Sequence, residues 1–482
     1  MLDYRPVLFI LGFMLMALAT AMAVPAVVDL AEGHADWAVF VAAMGVTYLV
    51  GGSLFFTMRG GSYHLNLRQA YLFTAVSWSS VALFGAVPFM FSELELSIAD
   101  AVFETISGIT TTGGTVIVGL DDAPPGILVW RGMLQWLGGI GLIAMAIIIL
   151  PFLRVGGMQL FRIEASNVAE KVLPRTGQIV AYIALIYGGL SALCVAGFLM
   201  AGMSFFDAAL HAMATLSTGG FSTRDASIGA YHNPAIEWIA IVFMIAGGAP
   251  FLVFIRAVRG QAWIAMRDPQ LTGFLFVLAV ASLAITAWLV MARDMDTSHA
   301  LRAATFSVVS VVTTTGFVTD DFSAWGTFAE VAFLFLMFVG GCGGSTSGGI
   351  KVFRLQIMGL MVRNQMRRMI EPAGVFPAIY AGQTVTDDIM RSAMAFLFAF
   401  LGSWVLLSLA LSALGLDLVT SVSASISALS NVGPALGPIA GPAGTFAPLP
   451  DLAKWLLSAG MLFGRLEFFV FLVFLTRWFW RA

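Results

Sequence analysis

The 482-residue chain is 59% hydrophobic and only 11% charged, with a mean hydropathy of +0.93. Soluble domains carry charge on about a quarter of their residues, so the composition excludes a soluble enzyme, a disordered chain and a nucleic-acid binder. The 24 Lys and Arg against 27 Asp and Glu give a net charge of −3 and no basic surface for nucleic acid. What remains is a polytopic membrane protein. Its two cysteines, Cys194 and Cys342, sit in apolar or Gly-rich context and form neither a disulfide framework nor a CxxC metal site.

At about 20 apolar residues per span, the apolar runs allow roughly ten crossings. The first, Val7–Val28, has signal-like flanks in Arg5 and Ala21-Met22-Ala23. It is longer than an h-region of about 7–15 residues and reads as a retained helix. Trp37–Met58, Gln69–Phe91, Gly126–Phe152, Gly177–Gly202 and Pro234–Val258 follow. The last four are Gln270–Met291, Gly326–Val362, Asp388–Leu414 and Asp451–Trp480. With the N-terminus in the cytoplasm, most Lys and Arg fall inside, among them Arg5, Arg59, Arg154, Arg162, Lys171, Arg175, Arg363, Arg367, Arg368, Arg391, Arg477 and Arg481. Only Arg131, Arg224, Arg293, Arg302 and Lys454 fall outside, with Arg465 inside a span. The positive-inside rule then places both termini in the cytoplasm. Acids including Asp29, Asp36, Glu104, Asp121, Asp207 and Asp225 fall outside. Singly they read as solvated loop residues; together they make an electronegative outer face that concentrates cations.

Four outside segments are too apolar for loops and too short to span: Ser97–Thr115, Ser204–Thr223, Ser298–Thr319 and Asp417–Pro434. Each starts polar, continues as an apolar helical stretch and ends in a polar turn with glycine. The turns are Thr110-Thr111-Thr112-Gly113-Gly114, Ser217-Thr218-Gly219-Gly220-Phe221, Thr313-Thr314-Thr315-Gly316-Phe317 and Ser430-Asn431-Val432-Gly433-Pro434. Asp100, Asp207, Ala303 and Thr420 stand in one register ahead of Gly113, Gly220, Gly316 and Gly433, which makes Gly220 rather than Gly219 the equivalent glycine. The fold class predicted is an all-α polytopic membrane protein. Four pseudo-repeats of outer helix, re-entrant pore helix, filter turn and inner helix surround one pore, behind two extra N-terminal helices. The units are 1–68 (the extra pair), 69–176, 177–269, 270–387 and 388–482. Irregular backbone at membrane depth is tolerated where it lines water, and four such turns on one axis can offer carbonyl oxygens to a cation. Four capped helix ends with ordinary Gly turns are the alternative for any one copy; four copies in register favour the pore.

The third inner span contains Gly340-Gly341-Cys342-Gly343-Gly344-Ser345-Thr346-Ser347-Gly348-Gly349. Glycine costs a helix about 1 kcal/mol relative to Ala. This run therefore predicts a helix, an irregular intramembrane loop below the filter, and a second helix from near Ile350. A tight helix-packing patch is the alternative; a nucleotide P-loop is excluded, since no GK[ST] is present. Arg465 and Glu467 fall within the last span. A charge at the bilayer centre costs about 2.5–3.5 kcal/mol or more, so Arg465 is expected to face the pore and meet loop groups such as Ser345 or Thr346, with snorkelling as the alternative. His34, His64, His211, His232 and His299 show no ligand spacing; His211 reads as a structural hydrogen-bonder and Gly138-Gly139-Ile140-Gly141 as helix packing.

The four turns and the Gly-rich break resemble the TrkH-type subunits of the potassium transporter superfamily, which includes the KtrB and HKT proteins. The resemblance covers essentially the whole chain, and the two helices before Gln69 match the extra pair of TrkH. It implies a tetrameric K⁺ channel fused into one chain. The filter would comprise Thr111, Thr112, Gly113, Thr218, Gly219, Gly220, Thr314, Thr315, Gly316, Asn431, Val432 and Gly433. K⁺ (or Rb⁺ or Na⁺) would be held at Thr112, Gly113, Gly220, Thr315, Gly316, Val432 and Gly433. Glycine at all four positions favours K⁺, and Asn431-Val432 with Pro434 makes the fourth loop depart most. It further implies a gate formed by Gly340, Gly341, Gly343, Gly344, Ser345, Thr346, Ser347, Gly348, Gly349 and Arg465. A separate TrkA-like cytoplasmic subunit carrying NAD or ATP/ADP, homodimerisation, membrane lipid as neighbour and a bacterial inner-membrane location are implied as well. No cofactor is expected in this chain. A symporter coupled to H⁺ or Na⁺, and an Na⁺-permeable transporter, remain the alternatives; an intramembrane enzyme lacks its paired acid, Ser/His or metal site.

Overall fold

The computed structural model describes residues 3–60, 65–148, 176–466 and 468–480. His64, Arg154, Arg162, Lys171, Arg175, Glu467 and Arg481 lie outside the described residues. Among the described residues, seven helices are long and apolar enough to cross a membrane, or eight if one bent pair counts as a span.

The first two spans, Arg5–Glu32 and Trp37–Thr57, form an antiparallel pair. They pack through Gly12 and Gly51, where a Cβ on either would overlap the other helix's backbone. Small residues at facing positions let membrane helices approach closely. A break at Met22 divides the first span into Arg5–Ala21 and Ala23–Glu32.

The same order of elements then recurs four times. The outer helices are Leu67–Phe91, Thr176–Met200, Pro269–Arg293 and Asp387–Ala413. The short pore helices are Ile98–Ile109, Phe205–Leu216, Thr297–Val312 and Leu418–Ser430. Each pore helix starts at a side-chain cap, Ser97, Ser204, Asp296 or Asp417, that accepts a hydrogen bond from a first-turn N–H. Such a cap stabilises a helix by about 1 kcal/mol. The inner helices are Pro125–Ile148, the bent pair Pro234–Gly248 and Phe251–Met266, the interrupted pair Thr327–Val339 and Val352–Ile370, and Asp451–Arg465.

Two of these differ from the uninterrupted spans the sequence predicts. Pro234–Val258 is bent by 94° after Gly248, where Ala249-Pro250 halts the helix because proline offers no N–H and its predecessor is driven from helical geometry. Asp451–Trp480 ends its first helix at Arg465 and continues in the short helices Phe468–Leu472, Val473–Leu475 and Arg477–Trp480. Among the described residues the strands form one two-stranded hairpin, Ile379–Tyr380 with Gln383–Thr384, at the end of the third unit.

Candidate functional site

The four turns have one backbone. Residues two before each filter glycine, Thr111, Thr218, Thr314 and Asn431, are left-handed, with φ of 52°, 50°, 58° and 57°. The glycines themselves, Gly113, Gly220, Gly316 and Gly433, have φ of 91°, 76°, 81° and 105°. A left-handed non-glycine residue costs about 1–3 kcal/mol and persists where surroundings over-determine it. Here the peptide N–H groups do so. Thr111, Thr218, Thr314 and Asn431 donate to Gly108, Thr215, Val311 and Ala428, at 2.9 to 3.3 Å. The next residues, Thr112, Gly219, Thr315 and Val432, donate to Ser107, Ala214, Ser310 and Ser427, at 2.8 to 3.0 Å. Three of those acceptor residues also reach back with their hydroxyls: Ser107 to the Gly114 carbonyl, Ser310 to Phe317 and Ser427 to Gly433.

The loops close on one another in a cycle. A Cβ on Gly113 would overlap the Gly219 carbonyl, one on Gly220 that of Thr315, one on Gly316 that of Val432, and one on Gly433 would stand 2.7 Å from that of Thr112. Loop 1 therefore abuts loop 2, 2 abuts 3, 3 abuts 4 and 4 abuts 1. Glycine is required both for its φ and because the neighbouring carbonyl occupies the place of a side chain. Gly113, Gly220, Gly316 and Pro434 line a cavity of about 70 Å³, together with Arg131, Arg224 and Phe446.

Polar struts stand behind the ring. Arg131 and Glu104 form an ion pair of 2.7 Å whose side chains are almost fully buried. Glu104 also accepts from Thr115 and the Val116 N–H, while Arg131 donates to the Ser222 carbonyl and stacks 4.0 Å from the Phe221 ring centre. Gln135 donates to the Gly219 carbonyl and accepts from the Phe221 N–H. Its amide fills the space of a side chain at 219, so Gly219 replaces the Thr found in loops 1 and 3. His211 donates from Nδ1 to the Asp207 carbonyl and bonds Ser222 through Nε2, the structural role the sequence suggests. Gly138 meets the Ile109 carbonyl and Gly139 the Ser217 backbone, so this run packs inner helix on pore helices. The buried Asp29, Asp36, Glu104 and Asp207 do not belong to a solvated electronegative face; each has protein hydrogen-bond donors instead. At the surface of the protein Arg224 pairs with Asp121 at 3.2 Å, which pushes its guanidinium pKa up further.

Beneath the turns lies the Gly-rich segment, irregular from Gly340 to Lys351. Thr346 donates to the Leu216 and Gly247 carbonyls and receives a hydrogen bond from Thr218. The Gly348 N–H donates to Thr314, and a Cβ there would overlap the Ser430 carbonyl. Carbonyls freed by the bend after Gly248 are used here: Cys342 donates to Gly248 at 2.9 Å and Thr346 to Gly247 at 3.2 Å. Gly340 and Gly349 pack backbone to backbone. Gly341 lies against Ser347, Gly343 donates to Gln270, Gly344 accepts from Phe251, and Ser345 donates to the Cys342 carbonyl. Arg465, 3% exposed, bridges this segment to the filter, donating to the Thr111 hydroxyl and to the Thr346 carbonyl. Its partner in the loop is thus Thr346, not Ser345. The Arg465 Nε and Nη1 have no protein hydrogen-bond partner, which calls for water beside them. The struts Glu104, Arg131 and Gln135, absent from the sequence reading of the site, were signalled by polar groups inside apolar helices.

Fold and site together define a polytopic membrane protein in which four re-entrant segments of one chain surround a common axis. Residues 37–478 match the family TrkH, described as cation transport protein. The Trk system potassium uptake protein TrkI of Halomonas elongata is 45% identical over 479 residues, covering 99% of this chain and 97% of that one. The TrkH protein of Escherichia coli is 36% identical over 487 residues, covering 100% of both. The crystal structure of the potassium transporter TrkH from Vibrio parahaemolyticus superposes with a TM-score of 0.92 at 34% identity, covering 100% of both chains. The chain belongs to the TrkH family of cation transport proteins, membrane transporters rather than enzymes.

Proposed function

We propose that this chain is the membrane subunit of a potassium uptake system and conducts K⁺ through a gated, channel-like path along the axis of the four turns. The observation that carries the reading is the closed cycle in which each filter glycine abuts the carbonyl of the next loop. Such a ring presents backbone oxygens from all four loops to one small cation, replacing its water shell. Thr112, Gly113, Gly220, Thr315, Gly316, Val432 and Gly433 hold the ion. The relatives that match along the full length are named as potassium uptake proteins, and glycine at all four positions keeps each wall of the ring at backbone width.

Below the ring, the segment from Gly340 to Gly349 and Arg465 form the barrier. The Arg465 guanidinium sits where an ion leaves the filter. At about 6 Å and an effective dielectric near 20 the repulsion on K⁺ is roughly 3 kcal/mol, reduced by water to about 1. Opening requires the segment to move, and the described residues fold into no cytoplasmic domain of their own to drive it. A separate TrkA-like nucleotide-binding subunit regulates it, the protein acts as a homodimer in the bacterial inner membrane, and both termini face the cytoplasm.

The test is ion flux in proteoliposomes. Reversal potentials under opposed K⁺, Na⁺ and H⁺ gradients should follow K⁺ alone; a potential that tracks H⁺ or Na⁺ at fixed K⁺ would replace the channel reading with a symporter. Arg465→Ala should raise rubidium uptake about fivefold, the kinetic equivalent of about 1 kcal/mol, while Arg465→Lys keeps most of the block. Reduced uptake by an Ala variant with a lowered melting temperature would make Arg465 a structural pin instead.

A further inference from the structure

A cavity of about 550 Å³ lies between the end of the interrupted third inner helix and the start of the fourth outer helix. Arg368 enters its lining from the first, Arg391 from the second, and Asn364, Phe376 and Val375 complete the wall between them. Both arginines are exposed. Asp387 is the one carboxylate in the lining, so the cavity carries net positive charge. Arg367 adds to it from the next position on the same helix, its guanidinium 6.0 Å from the Phe376 ring.

Two observations point to the membrane boundary as the place of this cavity. The fourth outer helix has 27 residues, which at 1.5 Å per residue is about 40 Å. The hydrocarbon core is about 30 Å thick, and the charged residues of that helix, Asp387, Asp388 and Arg391, all lie in its first two turns, so the excess length belongs at that end, in the headgroup layer. Around the cavity the apolar side chains are turned outward: Val375 is 90% exposed, Ile370 80% and Met369 74%. Beside paired arginines, this apolar fringe matches the boundary between acyl chains and headgroups, where basic and apolar groups are satisfied together.

We propose that this cavity binds the phosphate headgroup of an anionic membrane lipid, with Arg368 and Arg391 on the phosphate and Val375, Met369 and Ile370 against the acyl chains. A lipid held there bridges the helix that leads out of the Gly-rich segment to the next repeat, so its occupancy restrains how far Val352–Ile370 can shift relative to Asp387–Ala413.

The test uses the full-length protein in detergent. Phosphatidylglycerol binding is followed by native mass spectrometry, with phosphatidylcholine, inorganic phosphate and glycerol 3-phosphate as comparisons. Wild type should retain phosphatidylglycerol over phosphatidylcholine. Arg368→Gln with Arg391→Gln should weaken retention about 30-fold, or about 2 kcal/mol for two cations near a lipid phosphate. The double Lys variant should keep most of it and serves as the control for folding. Equal retention by wild type and the Gln variant overturns the proposal. So does displacement of the lipid by inorganic phosphate or glycerol 3-phosphate at matching concentration, which would make the cavity a soluble-anion site. Loss of a cytoplasmic protein partner in the Gln variant with lipid retention unchanged would assign the arginines to protein docking and overturn it as well.

Discussion

Between loops 1 and 2 the ring is tied by charge. The buried Glu104–Arg131 pair gathers Thr115 and Val116 from one side and Ser222 and Phe221 from the other. Between loops 4 and 1 the turns themselves meet through neutral groups: the Asn431 amide donates to the Thr112 hydroxyl and the Met461 carbonyl, and the Phe446 N–H donates to the Thr115 carbonyl; the charge at this seam comes from the last inner helix, with Lys454 on Asp100 at 2.6 Å and Arg465 on the Thr111 hydroxyl. The turns at the two seams share positive φ at the same two positions, yet their support differs. The fourfold repeat thus extends to the elements, the helix caps and the backbone of the turns, while the side-chain support differs from seam to seam. A buried ion pair is costly when one partner is removed; neutral hydrogen bonds such as those of Asn431 lose less.

The largest effect should come from cutting the charged seam. Arg131→Ala leaves Glu104 buried without its cation and should destabilise the protein by about 3–5 kcal/mol, read as a lowered melting temperature of the purified protein. Arg131→Ala combined with Glu104→Gln should recover part of the loss, because no uncompensated carboxylate remains; a double variant as unstable as the single would mean that packing, not charge, holds this seam. Next comes Gly113→Ser at the same seam, where the side chain meets the Gly219 carbonyl at positive φ. It should cost about 1–3 kcal/mol and shift the K⁺/Na⁺ permeability ratio toward Na⁺; an unchanged ratio would remove Gly113 from the filter. Where loops 4 and 1 meet through neutral groups, Asn431→Ala deletes two hydrogen bonds of about 1 kcal/mol each and should cost about 2 kcal/mol. A loss as large as that of Arg131→Ala would erase the distinction between the seams.

The smallest effect belongs to a position at neither of these seams. Asp296 caps the third pore helix, and hydrogen bonds from the Ser298 hydroxyl and from the His299 and Ser298 N–H groups hold its carboxyl below the usual range. A depressed carboxyl contributes stability above its unfolded value and loses it as pH falls through the folded one. Asp296→Asn should therefore melt slightly below wild type at neutral pH and converge with it on acidification below about pH 4. A gap that widens on acidification would contradict the assignment.

Much of this arrangement is legible in the sequence, for a physical reason. A left-handed turn that abuts a neighbouring carbonyl admits only glycine, so Gly113, Gly220, Gly316 and Gly433 mark it at constant distance from their pore helices. The interruption after Val339 is legible for the same reason, since so many glycines do not sustain a helix. Support from behind leaves no such periodic mark. Glu104 and Arg131 read as outer loop charges because sequence position gives depth along the membrane normal but not distance from the axis. The bend after Gly248 was announced by Gly247-Gly248-Ala249-Pro250, but the apolar run around it carried the span through. Gly219 in place of Thr is explained only by Gln135, a residue from another helix.

The cycle of contacts also bears on how the protein is made. Its closing link joins Asn431 to Thr112 across 319 residues of chain, and Arg465 reaches Thr111 across 354. Contacts at such separation form late, since the intervening chain must be synthesised and inserted before its ends can meet. During translation the first three loops enter the bilayer while the fourth wall is still missing. A nascent chain therefore holds three of the four turns and no ring, and on the function proposed above the path would gain its selectivity in one step, when the last repeat docks. Arg465 arrives on that same segment, so the ring of turns never closes without this guanidinium beneath it.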